Sequence, residues 1–167
     1  MLELAARLEA VVRWVGRIAA LAVLLLVVVV TCNVVGRYAF SAGTVWLQEL
    51  EWHLLAPIAL FGVSYALATG DHVRVDMLYE RFPARLRCAI DLGAALVGIV
   101  VCLLFIKFSY GFVERSFVLQ EGSPDPGGLP GRWVLKALVP LGFALLVVQF
   151  VALALRNAAG LRREPGA

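Results

Sequence analysis

Glu49, Glu51 and His53 bring the residues most able to do chemistry into five positions of one apolar segment, and Trp46 and Trp52 flank them. Spacing of four puts Glu49 and His53 on one helical face, where a carboxylate and an imidazole could hydrogen-bond. Spacing of two turns Glu49 and Glu51 toward nearly opposite faces, so one can meet a neighbour while the other meets water or headgroups. The second polar group is Asp71-His72-Val73-Arg74-Val75-Asp76, directly after Gly70. His53 and His72 are the chain's two histidines, separated by roughly 28 Å of helix rise. They cannot share one metal ion or form a bis-histidine haem pair within this chain. No Gly-rich phosphate loop, GxSxG or HExxH occurs. The sequence therefore predicts no catalytic, metal or cofactor-binding set, and not an enzyme.

The elements that carry these residues are membrane spans. The chain has 167 residues, 62% hydrophobic and only 16% charged, with a mean hydropathy of +0.88. A soluble domain is about half apolar and about a quarter charged. The apolar residues gather in four blocks, 14–35, 46–68, 89–113 and 133–155, each near the ~20 residues that cross a bilayer. The loops are too short to fold alone. The fold expected is an all-α integral membrane protein, one four-helix transmembrane domain over residues 1–167.

Charge placement orients it. Arg7, Arg13 and Arg17, then Arg74, Arg81, Arg85 and Arg87, then Arg156, Arg162 and Arg163 make ten of the fifteen basic residues on one side. Arg37, Arg115, Arg132 and Lys136 lie on the other, and Lys107 sits within span three, able to snorkel. The positive-inside rule places both termini and the middle loop in the cytoplasm. A net charge of +3 distributed this way points to membrane lipid, not nucleic acid. The first apolar run exceeds a signal-peptide h-region and no A-x-A site follows it, so it reads as a signal anchor. Val30-Thr31 before Cys32 lacks the small residues of a lipoprotein site. Cys32, Cys88 and Cys102 show no CxxC spacing and read as packing residues.

Smaller features fill in the layout. Residues 2–13 alternate apolar and charged and are expected to lie on the membrane surface as an amphipathic helix. Ala56, Ala59 and Gly62 form a small-residue stripe in span two, and Ala94 with Gly98 a small-xxx-small pair in span three. Pro57 removes a backbone donor inside span two. Asp76 is expected to cap a short helix through Phe82, with Pro83 opening span three. The segment 120–132, rich in Gly and Pro, is a turn-forming loop. Glu49 and Arg37 flank one short loop with opposite charge, which predicts an ion pair closing the first hairpin. Trp46 and Trp52 suit an interfacial belt or a partner interface; His72, Arg74 and Asp76 suit a solvated loop or docking against a neighbouring subunit.

Taken together, Asn33-x-x-x-Arg37-Tyr38-x-Phe40, Trp46-x-x-Glu49 and His72-x-Arg74-Val75-Asp76 resemble the small permease subunit of tripartite ATP-independent periplasmic (TRAP) transporters. Gly128-Leu129-Pro130 and Lys136-Ala137-Leu138-x-Pro140-Leu141-Gly142 also resemble that family's last loop and span. The likeness covers about residues 14–155. The family often has two adjacent acidic residues after the tryptophan; here Leu50 separates Glu49 from Glu51. The resemblance implies a multi-pass protein of the bacterial inner membrane that acts as scaffold for a large TRAP permease subunit. A periplasmic substrate-binding protein would deliver an organic acid, imported on a sodium gradient. Arg37, Trp46, Glu49, Trp52, His72, Arg74, Asp76, Gly62 and Gly98 are then the structural or partner-interface candidates. Two other readings stand beside it: a self-sufficient four-helix exporter working as a dimer, which needs a carboxylate near the midplane of an early span, and an electron-transfer anchor, which needs axial ligands at suitable depths.

Overall fold

The computed structural model describes residues 1–41, 43–71, 79 and 82–162. Four helices organise them: α1 (Leu2–Phe40), α2 (Val45–Thr69), α3 (Ala84–Val118) and α4 (Arg132–Arg162). All four are long and apolar enough to cross a membrane. The predicted spans fall inside them, but three helices overrun their apolar cores. Hydropathy marks only the lipid-embedded part, and a helix continues into water until its backbone is capped. α1 has 39 residues, roughly 58 Å of rise, against a hydrocarbon core of about 30 Å.

The ends follow local chemistry. α1 stops at Ser41, whose left-handed φ of 52° lets its N–H reach the Gly36 carbonyl. α2 stops at Gly70, with φ of 82°, its N–H and that of Asp71 both closing on the Ala66 carbonyl, a conformation glycine adopts without Cβ strain. Pro83 immediately precedes α3.

One expectation is overturned here. The amphipathic lead-in does not lie apart on the membrane surface; it is the first three turns of α1. Ala5, Glu9, Val12, Gly16 and Ala19 are buried along one stripe of that helix. Spacings of four and three keep the stripe on one face, so burying it against the bundle favours a straight continuation over a bend.

Within the bundle, α4 contacts the other three helices, α1 and α2 contact each other, and α3 lies mainly against α4. Glycines make these approaches possible. A Cβ on Gly98 would come within 2.6 Å of the Phe150 ring on α4, and one on Gly142 within 2.7 Å of Leu60 on α2. Gly16 takes the Tyr65 ring so closely that a Cβ would overlap it. In lipid, association rests on such close packing and not on a hydrophobic drive. Phe105 of α3 stacks on Phe143 of α4 at 4.6 Å between centroids, and Phe117 meets Trp133 edge-on at 5.2 Å. The start of α1 and the end of α4 lie at one end of the bundle, where Arg162 reaches the Met1 sulfur at 3.8 Å; the α1–α2 and α3–α4 turns lie at the other.

Candidate functional site

Glu49 is the centre of the hairpin end. It lies in the first turns of α2 and is 5% exposed. A carboxylate there needs donors for both oxygens, and the segment between α3 and α4 supplies them. Ser123 Oγ donates to Oε1, and the Leu129 N–H donates to Oε2 at 2.6 Å. That segment is shaped for the purpose. Ser123 N–H donates to the Leu129 carbonyl at 3.2 Å and Gly128 N–H to the Asp125 carbonyl at 3.1 Å. Asp125 N–H in turn donates to Ser123 Oγ at 3.1 Å, leaving the hydroxyl proton for Glu49. Gly127 and Gly131 have φ of 81° and 76°, which favours glycine at both. At Gly128 the need is space: a Cβ would lie 2.7 Å from Glu49 Oε2 and would also overlap Ser123 Oγ.

The expected Arg37–Glu49 ion pair is therefore corrected. Both carboxylate oxygens are taken by the 120–131 segment, and among the described residues Arg37 does not pair with Glu49. The Arg37 guanidinium instead lies over the Tyr38 ring, 6.0 Å from its centroid. It borders a polar hollow of about 220 Å³ with Asn33, Thr44 and Gln48. Backbone and hydroxyl donors satisfy a buried carboxylate without also desolvating a guanidinium.

Glu51 turns the other way and accepts from Asn33 Nδ2 of α1 at 2.7 Å, so the separated second carboxylate closes the first hairpin. His53 Nδ1 lies 2.8 Å from the Glu49 carbonyl oxygen; since that oxygen only accepts, this nitrogen carries the proton. Trp46 and Trp52 are half exposed. Trp52 borders an apolar groove of about 320 Å³ with Ala56 and Leu60 of α2, Phe112 of α3, and Leu135 and Val139 of α4. Lys136 and Arg132 stand at its rim. Lys136 pairs with Glu121 and lies 4.2 Å from the Phe112 ring centroid. Its ammonium holds the Glu121 carboxyl below the usual carboxylate range. A Cβ on Gly62 would meet nothing within 4 Å, whereas Gly98 faces inward onto Phe150. His72, Arg74 and Asp76, with the helix expected after Asp76, lie outside the described residues.

At the opposite end Glu9, 3% exposed, accepts from Arg156 of α4 at 2.7 Å and from Arg13 at 3.4 Å. Sequence reasoning does not single out Glu9, Ser123 or Gly128 as partners. Only the i,i+4 spacing of Glu9 and Arg13, and the glycine pair at 127–128, hint at them. Among the described residues no group of three His, Cys, Asp or Glu could hold a metal ion.

Four long apolar helices tied at both ends by buried carboxylates match a known family in sequence. The signature of tripartite ATP-independent periplasmic transporters, DctQ component, covers residues 26–160. The chain belongs to that family. It is a membrane component of a TRAP transporter in the inner membrane, and not an enzyme. It is similar to the ectoine TRAP transporter small permease protein TeaB of Halomonas elongata, 28% identical over 84% of this chain and 72% of that one. It is similar to the C4-dicarboxylate TRAP transporter small permease protein DctQ of Rhodobacter capsulatus, 32% identical over 66% of this chain and 48% of that one. It also matches the sialic acid TRAP transporter permease protein SiaT of Haemophilus influenzae, 26% identical over 74% of this chain but 19% of that one.

Proposed function

We propose that this chain is the fixed scaffold subunit of a TRAP transporter that imports an organic acid on a sodium gradient. In this reading it holds a large permease subunit that a periplasmic binding protein supplies with substrate. The observation that carries the reading is where its buried and half-buried carboxylates are spent. Glu49, Glu51 and Glu9 are each consumed in tying helices together at the ends of the bundle, an arrangement suited to a body that stays rigid while a partner moves. The relatives' names support small organic solutes, two of them acids. The basic residues support termini in the cytoplasm; reporter fusions at residue 167 and within 123–128 should report opposite sides, and the same side would overturn that orientation.

The small-residue face of α2 is the partner surface in this proposal. Ala56 and Ala59 lead to Gly62, beside which the chain leaves open space, so another helix can approach closely. Gly62→Leu should abolish co-purification with the large permease while the variant still inserts. Uptake in vesicles with the binding protein and a sodium gradient should fail in parallel. Robust uptake by this chain alone would overturn the scaffold reading in favour of the dimeric exporter.

A further inference from the structure

On the side of α3 and α4 away from α2, near the hairpin end, lies an open hollow of about 410 Å³ that the scaffold role leaves unused. Tyr110 and Phe117 of α3 and Trp133 of α4 form its walls, and the Glu114 carboxylate shares it with them. Phe117 and Trp133 are held edge-on to each other, which fixes one corner. Aromatic residues at this depth are ordinary for a membrane interface. An acidic side chain among them is not: a carboxylate beside aromatic faces is the chemistry that recognises an ammonium group.

A second charge sits on the same face. Lys107 is seven residues before Glu114 and three before Tyr110, so all three lie along one stripe of α3. Glu114 is one turn from the end of α3 at Val118; Lys107 is roughly 17 Å from that end by helix rise. Both side chains are exposed, and among the described residues neither enters an ion pair. A lysine at that depth extends its butyl stem toward the headgroup layer. The stripe thus presents a cation on the bilayer side and an anion within aromatic walls on the water side. A zwitterionic phospholipid presents the complement in the same order, its phosphate next to the glycerol and its ammonium farther out.

We propose that this hollow binds the headgroup of a zwitterionic aminophospholipid, with the ammonium against Glu114 between Tyr110, Phe117 and Trp133, and the phosphate on the Lys107 ammonium. The acyl chains would run down α3 over Val100, Leu103 and Leu104, which are exposed. An anionic lipid such as phosphatidylglycerol offers Lys107 its phosphate but leaves Glu114 without a counter-charge. This proposal stands apart from the scaffold reading, which uses the face of α2.

Native mass spectrometry tests it on the full chain, alone and co-purified with its large permease, from micelles supplied with equal phosphatidylethanolamine and phosphatidylglycerol. Phosphatidylethanolamine should be retained over phosphatidylglycerol by about five-fold, the worth of one partly desolvated cation–π and carboxylate contact. Glu114→Gln should bring the ratio near one, and Lys107→Gln should lower retention of both lipids while the ratio stays; neither should lower Tm, because both side chains are exposed. Soluble glycerophosphoethanolamine should not displace the lipid. Equal retention by the wild-type chain, an unchanged preference in Glu114→Gln, unchanged retention of both lipids in Lys107→Gln, or displacement by the free headgroup would overturn the proposal. So would loss of the preference in the complex, which would assign this face to the protein partner.

Discussion

Glu49 and Glu9 are buried at opposite ends of the same bundle, yet different chemistry satisfies them. Glu49 meets a hydroxyl and a backbone N–H, both from a segment more than 70 residues away in sequence. Glu9 meets two guanidinium groups, one of them on its own helix a turn away. The Arg156 side chain remains 56% exposed, so water shares in its solvation. The hairpin end therefore depends on backbone shape, which a single misplaced atom disturbs. The terminal end depends on flexible charged side chains, which tolerate rearrangement and feel salt. Rigidity can be imposed on a membrane bundle by either means, but only the first also fixes the path of a loop.

The largest expected effect breaks the hairpin end by shape alone. Gly128→Val places a branched side chain where a Cβ would already lie 2.7 Å from Glu49 Oε2. Overpacking of this kind costs about 3 kcal/mol, and a matching loss of thermal stability in detergent should follow. A Tm equal to that of the wild type would mean that the loop does not clasp Glu49.

Changing chemistry at constant shape comes next. Glu49→Gln puts an amide NH₂ opposite either the Leu129 N–H or the Ser123 hydroxyl, and an amide accepts more weakly than a carboxylate. Stability and assembly with the large permease should fall, and by more than for Glu9→Gln, whose arginine partners can turn to water. Substrate affinity should be unchanged in both variants. Altered sodium dependence of uptake with normal assembly in the Glu49 variant would sink the structural role assigned to it.

Salt sharpens the contrast further. Raising ionic strength from about 0.1 to about 1 M shortens the Debye length from about 10 to about 3 Å. Hydrogen exchange should then quicken at residues 2–12 and stay constant at 121–131. Arg156→Ala should cost no more than about 1 kcal/mol, as for other exposed pairs, since Arg13 still holds Glu9. Equal salt sensitivity at both ends would erase the distinction.

The smallest effect concerns Glu121, which neighbours the clasp and whose carboxyl Lys136 holds below its usual range. A group with a lowered folded-state pKa contributes stability above its unfolded value, about 4.3, and loses it as pH falls through the lower folded value. The drop in Tm below about pH 4.3 should therefore be shallower in Glu121→Gln, whose Tm at neutral pH should already be slightly reduced.

Much of this architecture is legible in the sequence. Hydropathy is summed residue by residue, so four spans, their order and the turn at Gly70 follow from composition and local backbone preference. The order of Asn33, Arg37, Trp46, Glu49 and the last-span motif is sufficient to suggest the family. What neighbours in sequence share is legible as well: Glu49 and Glu51 do point to different faces, because a helix turns 100° per residue whatever surrounds it.

Partner choice is not legible. Arg37 is the nearest opposite charge to Glu49 along the chain, and Coulomb reasoning along the sequence selects it. The fold instead brings Ser123 and the Leu129 N–H to the carboxylate, and a backbone donor carries no sequence signal of its own. Glu51 finds Asn33, and Glu9 finds Arg156 across 147 positions. The small residues divide for the same reason. Gly62 and Gly98 look alike in the sequence, each a gap in an apolar helix, yet Phe150 fills one and open space adjoins the other. Which gap is filled depends on the rotation of each helix about its axis, and in an almost uniformly apolar span only packing against the neighbouring helices sets that angle.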